Sequence, residues 1–331
     1  MHTQLQSSAP HLLQPLSQEH IFIVIPMYRV EPYIQGVIAG IPAWVEGIVV
    51  VDDASPDHSA ELALAVADPR LVLVRHTVNQ GVGAAVLSGY TRAAELGATL
   101  MVKMDGDGQM APEFLPDLVR PLLAGRADYA KGNRFVHYEA LLAMPVVRRL
   151  GNLGLSFMTK LASGYWNIFD PTNGYTAIAC EAFLRLNRSQ IHHRYFFESS
   201  MLIELNLQRA VVADVSLPAR YLREISSLSI SKTLFEFPPL LFKGLARRVW
   251  LEYFVMDFSL ASLYMILGTL MTLWGLIFGV IKWIQSAQSG IPATTGTVML
   301  AAMPVILGFQ LLLSAIAHDM QNVPRTPLAR R

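Results

Sequence analysis

Pattern alone points to an α/β domain on a mainly parallel sheet, followed by an interfacial helix and a two-helix transmembrane hairpin. Three features lead there. Short apolar, β-branched runs alternate with helical stretches through the first two thirds of the chain. Two uncharged runs of membrane-spanning length lie near its end, and a segment of alternating basic and aromatic residues precedes them. Composition agrees: of 331 residues, 53% are hydrophobic and only 15% charged, with mean hydropathy +0.38. Soluble domains average about 25% charged residues, so neither a disordered chain nor a wholly water-exposed one fits. A formal net charge of +1 argues against nucleic acid as a partner held by a general basic field. Cys180 is the single cysteine, which excludes an intramolecular disulfide and argues against a cysteine-based zinc site.

Residues 1–19 form a loose polar leader; Glu19 is the first charged residue other than His, so the basic start of a secretory signal is missing. Residues 20–232 form the α/β domain. Buried strands are expected at 21–25, 48–51, 71–74 and 100–104, with helices at 59–67, 83–96 and 112–124. Such alternation predicts a largely parallel sheet, in which ligands bind at the carboxyl ends of strands. Polar residues at strand ends are therefore the candidates for chemistry.

Two strands end in paired carboxylates. VVVDDASPD places Asp52 and Asp53 at one strand end, and VKMDGDGQ places Asp105, Asp107 and Gln109 at another. Glycines at 106 and 108 allow a tight turn that leaves both carboxylates facing one cavity. Two carboxylates and an amide oxygen make a hard-oxygen site suited to Mg²⁺ or Mn²⁺, and such an ion would bridge a diphosphate and stabilise it as a leaving group. A solvated acidic turn is the plain alternative, and the position after a buried strand favours the site. In NQGVGAAV, Asn79, Gly81 and Gly83 precede a small-residue helix whose first amides could approach an anion. Neither a P-loop nor a dinucleotide fingerprint is present.

The amphipathic interfacial region is placed at 233–256. Phe235, Phe237, Leu240, Leu241, Leu245, Val249 and Trp250 alternate there with Lys243, Arg247 and Arg248, a pattern suited to a helix lying among anionic headgroups. Pro238 and Pro239 are expected to delay its start. The hairpin occupies 257–318. Its uncharged runs, 258–281 and 297–317, each reach the roughly 20 residues a spanning helix needs, and Pro304 should kink the second. Lys232, Lys243, Arg247 and Arg248 before the hairpin, and Arg325, Arg330 and Arg331 in the basic tail at 319–331, put both ends on the cytoplasmic side. The expected location is the cytoplasmic membrane, as a multi-pass protein. Self-association through the hairpin stays open.

Taken in order, IPMY, VVVDDASPD, NQGVGAAV, MDGDGQ, KGNRF, DPTNGY and FFES resemble the family 2 glycosyltransferases of the GT-A fold. Within them the chain is similar to dolichol-phosphate mannose synthases and bacterial polyprenyl-phosphate glycosyltransferases, over roughly 21–317. The resemblance implies a GT-A nucleotide-binding domain that moves one sugar, with inversion, from a nucleotide sugar to polyprenyl phosphate. A UDP-sugar is favoured and GDP-mannose is the other donor. By the same resemblance Pro26, Tyr28, Glu31, Asp52, Asp53, Asn79, Gly81 and Asp105 bind the donor, while Asp105, Asp107 and Gln109 hold the metal. Arg134 and one of Arg148 or Arg149 face the acceptor phosphate, and Asp170 assists the acceptor. Arg148 and Arg149 equally suit a lipid-facing pair, Asp170 equally suits a turn before Pro171, and Glu198 is a lesser candidate that a salt bridge would explain.

Departures accompany the match. Where the family has R-x-x-G-x-S-K, this chain reads RYLREISSLSISK, without the glycine. The Q-x-x-R-W of processive synthases is missing too, in keeping with one transfer per acceptor. A phosphate monoester has a second pKa of about 6, so the acceptor is nucleophilic at neutral pH and needs cationic positioning more than a strong base. Two other functions are weighed against this one: transfer to a lipid hydroxyl, which would need proton removal, and a catalytically silent membrane scaffold.

Overall fold

The computed structural model describes residues 19–133, 146–170, 173–217 and 230–330. Strands β1 (Ile21–Met27), β2 (Gly47–Asp52), β3 (Leu71–Arg75) and β4 (Leu100–Lys103) pair in parallel, and match the expected runs to within two residues at either end. Three further strands complete the sheet: β5 (Tyr129–Asn133), β6 (Thr176–Ala179) and β7 (Val212–Ser216). The order is β3-β2-β1-β4-β6-β5-β7, with β6 antiparallel to both neighbours and β7 parallel to β5. Every residue of β1, β2 and β4 is buried. This explains their unbroken apolar runs, since a strand covered on both faces has no reason to alternate.

Helices α1 (Ile34–Ala39), α2 (Ser59–Ala65), α3 (Val82–Glu95) and α4 (Leu115–Leu123) cover the parallel half. Ile34, Ile38, Leu115 and Leu118 pack on Ile23, Ile25, Ile48 and Val102 from one side. On α3, a Cβ at Gly89 would fall 2.3 Å from Val24 Cγ1, so the glycine lets the helix rest directly on β1. Three further helices precede the C-terminal ones: α5 (Val146–Ser163), α6 (Cys180–Leu184) and α7 (Phe197–Leu207).

The chain divides into two compact units, Met1–Leu245 with Pro324–Arg331, and Ala246–Val323. Helix α8 (Ile230–Trp250) starts before Pro238 and Pro239 rather than at them. The prolines remove two helical donors. Tertiary packing sustains the helix there: Phe237 and Leu241 are buried in a cluster with Ala162, Phe196 and Ile203. Those two apolar residues, expected to face lipid, face protein instead, while Phe242 is 66% exposed. In the same unit Pro324, Pro327 and Leu328 are buried, and Leu328 N–H donates to Asp128 Oδ1 at 2.8 Å.

The second unit holds α9 (Leu260–Ser289) and α10 (Thr295–Gln321), two helices long and apolar enough to cross a membrane. Close packing of the pair relies on glycine. A Cβ at Gly308 would lie 2.4 Å from Thr272 Oγ1, and one at Gly275 would lie 2.6 Å from the Ala301 carbonyl. Outward side chains such as Leu270, Trp274, Leu300 and Ile306 are exposed. Arg248, expected as a cation facing headgroups, is 1% exposed instead. Its guanidinium donates to Asp319 (2.7 and 3.0 Å) and to Glu252 (2.7 Å), and Tyr253 Oη adds a bond to Asp319 at 2.7 Å. A buried cation needs such partners.

Candidate active site

The strand order sets the site. With β2 and β4 on either side of β1, both acidic turns and the loop after β1 meet at one end of the sheet, where a ligand crevice is expected.

At the β1 end Pro26 is buried, whereas Tyr28 is 42% exposed with the Arg29 guanidinium 5.3 Å from its ring centre. Hydrogen bonds tie this loop to the turn after β2. Arg29 N–H donates to Ser55 Oγ at 2.6 Å and Val30 N–H to Ser59 Oγ at 3.0 Å, while Glu31 accepts from His58 N–H at 3.2 Å. Asp52 in turn accepts from Ser55 N–H at 2.9 Å.

Asp53 is 2% exposed and its carboxylate is fully engaged. Oδ1 accepts from Gln80 N–H (2.9 Å) and His76 Nδ1 (2.7 Å), and Oδ2 accepts from Gly81 N–H (2.7 Å). His76 Nε2 lies 2.9 Å from Ser88 Oγ, so the imidazole bridges Asp53 and Ser88. Asn79 Nδ2 donates to the Asp53 carbonyl at 3.2 Å. Asp53 therefore staples the glycine-rich loop to the end of β2.

That loop departs from the anion-cradle expectation. Gly83 and Ala84 N–H both donate to the His193 carbonyl, at 2.7 and 3.2 Å. A Cβ at Gly83 would sit 2.3 Å from the His192 carbonyl, and one at Gly81 (φ +101°) 2.6 Å from that of His193. The glycines admit a neighbouring stretch of backbone, and the first amides of α3 are spent on it.

The β4 end differs. Lys103 is 1% exposed; its Nζ lies 2.8 Å from Asp105 Oδ1 and 3.5 Å from Glu198 Oε1, at the start of α7. Burial favours the neutral amine, but the charges of Asp105 and Glu198 outweigh it and hold the ammonium's pKa above its ordinary value. Gly174 packs over this pair, since a Cβ there would come 2.4 Å from Lys103 Nζ and 3.1 Å from Asp105 Oδ2. Asp107 Oδ1 accepts from Gln109 N–H at 3.0 Å, closing the turn at Gly108 (φ +78°), and the Gln109 side of that turn is exposed. Among the described residues no three His, Cys, Asp or Glu side chains gather as a ready cation cage. Asp105 and Asp107 instead offer hard oxygens at an open turn, a donor set that suits a divalent ion sharing its shell with a diphosphate.

The remaining candidates lie on the β5–β7 side. Asp170 is fully buried. Asn173 anchors its loop, donating to the Gly132 carbonyl (2.7 Å) and accepting from Tyr175 N–H (3.0 Å), while Lys131 Nζ donates to the Asn173 carbonyl. Arg148 and Arg149 fall in the first turn of α5, with side chains outside the described residues. Arg134 lies outside them, as does most of RYLREISSLSISK.

Lys103, His76, Asn133 and Asp214 were not singled out by pattern. Lys103 had a signal: a lone ammonium inside a buried strand, two residues before Asp105 and so on the same face, must find a partner. His76 and Asp214 had none, because their partners come from distant segments.

A mostly parallel sheet with acidic turns after two parallel strands that flank β1 is a GT-A-like fold. Glucosyl-3-phosphoglycerate synthase from Mycobacterium tuberculosis, solved with Mn²⁺ and UDP-glucose, shares it: TM-score 0.56 and 21% identity, covering 74% of this chain and 85% of that one. Residues 22–186 match the sequence model of Glycosyl transferase family 2, and the chain belongs to that family. The UDP-N-acetylglucosamine–dolichyl-phosphate N-acetylglucosaminyltransferase of Methanococcus voltae is 28% identical, over 62% of this chain and 88% of its own. Polyprenol monophosphomannose synthase of Mycolicibacterium smegmatis is 37% identical, over 46% of this chain and 58% of its own.

Proposed function

We propose that this glycosyltransferase moves a single sugar from a nucleotide sugar to polyprenyl phosphate, inverting the anomeric centre, at the cytoplasmic face of a membrane. The observation that carries the proposal is the open Asp105–Asp107 turn at the end of a buried strand, in a family 2 chain that also holds two membrane-length helices. The names of its relatives support the acceptor class. A UDP-sugar is the favoured donor and GDP-mannose the second.

Asp105 and Asp107, with Gln109 beside them, would hold Mg²⁺ or Mn²⁺; the ion supplies charge neutralisation for the departing diphosphate. Tyr28 stands exposed at the end of β1 to stack on the base, and Asp52 and Asp53 hold the loop beneath it. Asp53, Asn79 and Gly81 act on the donor chiefly by fixing loop shape, because their polar groups already bond to one another. Arg134, with Arg148 or Arg149, binds the acceptor phosphate, whose own charge makes it the nucleophile. Asp170 orients it. Residues 20–232 form the catalytic domain, 233–256 the interfacial region, 257–318 the hairpin and 319–331 the basic tail, with catalysis on the cytoplasmic side.

Detergent-solubilised protein with Mn²⁺, a panel of UDP- and GDP-sugars, and either undecaprenyl phosphate or diacylglycerol tests this by product mass. A sugar-phosphate-polyprenol with one donor is expected. Product only on diacylglycerol would replace the acceptor class, and no product on either lipid from folded protein would refute the proposal.

A further inference from the structure

The acceptor side of the proposed site draws on two segments far apart in sequence: the end of β5, which leads into Arg134, and the turn that carries Asp170. One carboxylate bonds to both. Asp214, on the edge strand β7, sits opposite Lys131 in the β5–β7 register. Its Oδ2 accepts from Asn133 Nδ2 at 2.8 Å and from Phe169 N–H at 3.3 Å. Asn133 directly precedes Arg134 in the chain, and Phe169 directly precedes Asp170.

We propose that Asp214 is the positioning residue of the acceptor site, holding the strand end before Arg134 and the turn before Asp170 in one register. The claim deepens the polyprenyl-phosphate proposal and rests on it.

Two details favour this over a plain structural cross-link. A cross-link needs only one acceptor oxygen, which an amide would provide. The second oxygen, Oδ1, is buried without a hydrogen bond, an arrangement that costs stability. The side chain also lies close enough to Asp170 for the two charges to oppose each other. Burial, and after it the charge of Asp170, pushes the Asp214 carboxyl above its usual range, against bonds from Asn133 and Phe169 and the charge of Lys131 that pull it down. A buried oxygen left without a hydrogen bond is uncommon and calls for a reason beyond packing.

The test is steady-state kinetics on the full-length detergent-solubilised protein, varying polyprenyl phosphate and donor separately, together with calorimetric titration of the matching nucleoside diphosphate. Losing a hydrogen bond to a charged group corresponds to about tenfold. Asp214→Ala is therefore expected to raise the KM for polyprenyl phosphate about tenfold, with nucleoside diphosphate affinity within about twofold of wild type. Asp214→Asn, which keeps one acceptor oxygen, should fall between. If Asp214→Ala does not fold, Asn133→Ala removes one of the two donors and should raise the same KM about threefold. Unchanged acceptor KM in the folded variants, or equal losses of acceptor and donor affinity, would overturn the role of Asp214. Wild-type protein that transfers nothing to polyprenyl phosphate would instead overturn the functional proposal beneath it.

Discussion

The ends of β2 and β4 look alike in sequence, each an apolar run closing on paired aspartates, yet they do different work. At β2 the carboxylate of Asp53 takes three N–H donors from the loop at 76–81 and lies buried at 2% exposure. At β4 Asp105 and Asp107 stay part-exposed on an open turn, and Asp105 is paired from below by the buried Lys103. The first acid has spent its hydrogen-bonding capacity on the fold. The second pair lies part-exposed at an open turn, with the Lys103 ammonium behind Asp105. What an acidic strand end can do depends on which groups approach it, and that is set by tertiary structure.

The largest effect is expected from substitution on the β4 side. Asp107→Ala should lower sugar transfer about 10²–10³-fold, the range for losing a key electrostatic contact, while the thermal midpoint stays close to wild type because Asp107 sits part-exposed on a surface turn. Full activity in this variant would make the two strand ends equivalent.

Lys103→Met comes next. It leaves Asp105 and Glu198 facing each other without their shared ammonium, at a cost of about 3 kcal/mol, read as lower stability in denaturant melts and weaker metal-dependent donor binding. Lys103→Arg should not rescue it, because Gly174 leaves no room around Nζ.

On the β2 side the order of effects reverses. Asp53→Asn should destabilise by about 1–3 kcal/mol, because the amide places a donor where an N–H already points. A stability loss larger than any rise in donor KM would sharpen the contrast. Smallest of all, Asn79→Ala removes one part-exposed bond to the Asp53 carbonyl and should cost about 0.5–1 kcal/mol in the same melts.

How far pattern reached follows from the same physics. The parallel half of the sheet was readable because β1, β2 and β4 are buried on both faces and leave continuous apolar runs. Strands β5 and β7 read YAKGN and VADVS; they carry Lys131, Asn133 and Asp214, whose polar groups are bonded across segments, so no run marks them. The hairpin was readable because membrane-length helices need unbroken apolarity. Arg248 was misplaced among the exposed cations because its partner Asp319 lies 71 residues away, a pairing no local spacing encodes. In the glycine-rich loop, small residues before a helix suit an anion or a neighbouring backbone equally well, and only the approach of the His192 and His193 carbonyls distinguishes them.

The most direct test of the central claim is calorimetric titration of UDP and GDP into wild-type and Asp107→Asn protein, with Mn²⁺ and with EDTA. One of the two nucleoside diphosphates is expected to bind wild-type protein at least about tenfold tighter with Mn²⁺, and Asp107→Asn to abolish the difference. Equal affinity with Mn²⁺ and EDTA for both nucleotides would contradict it.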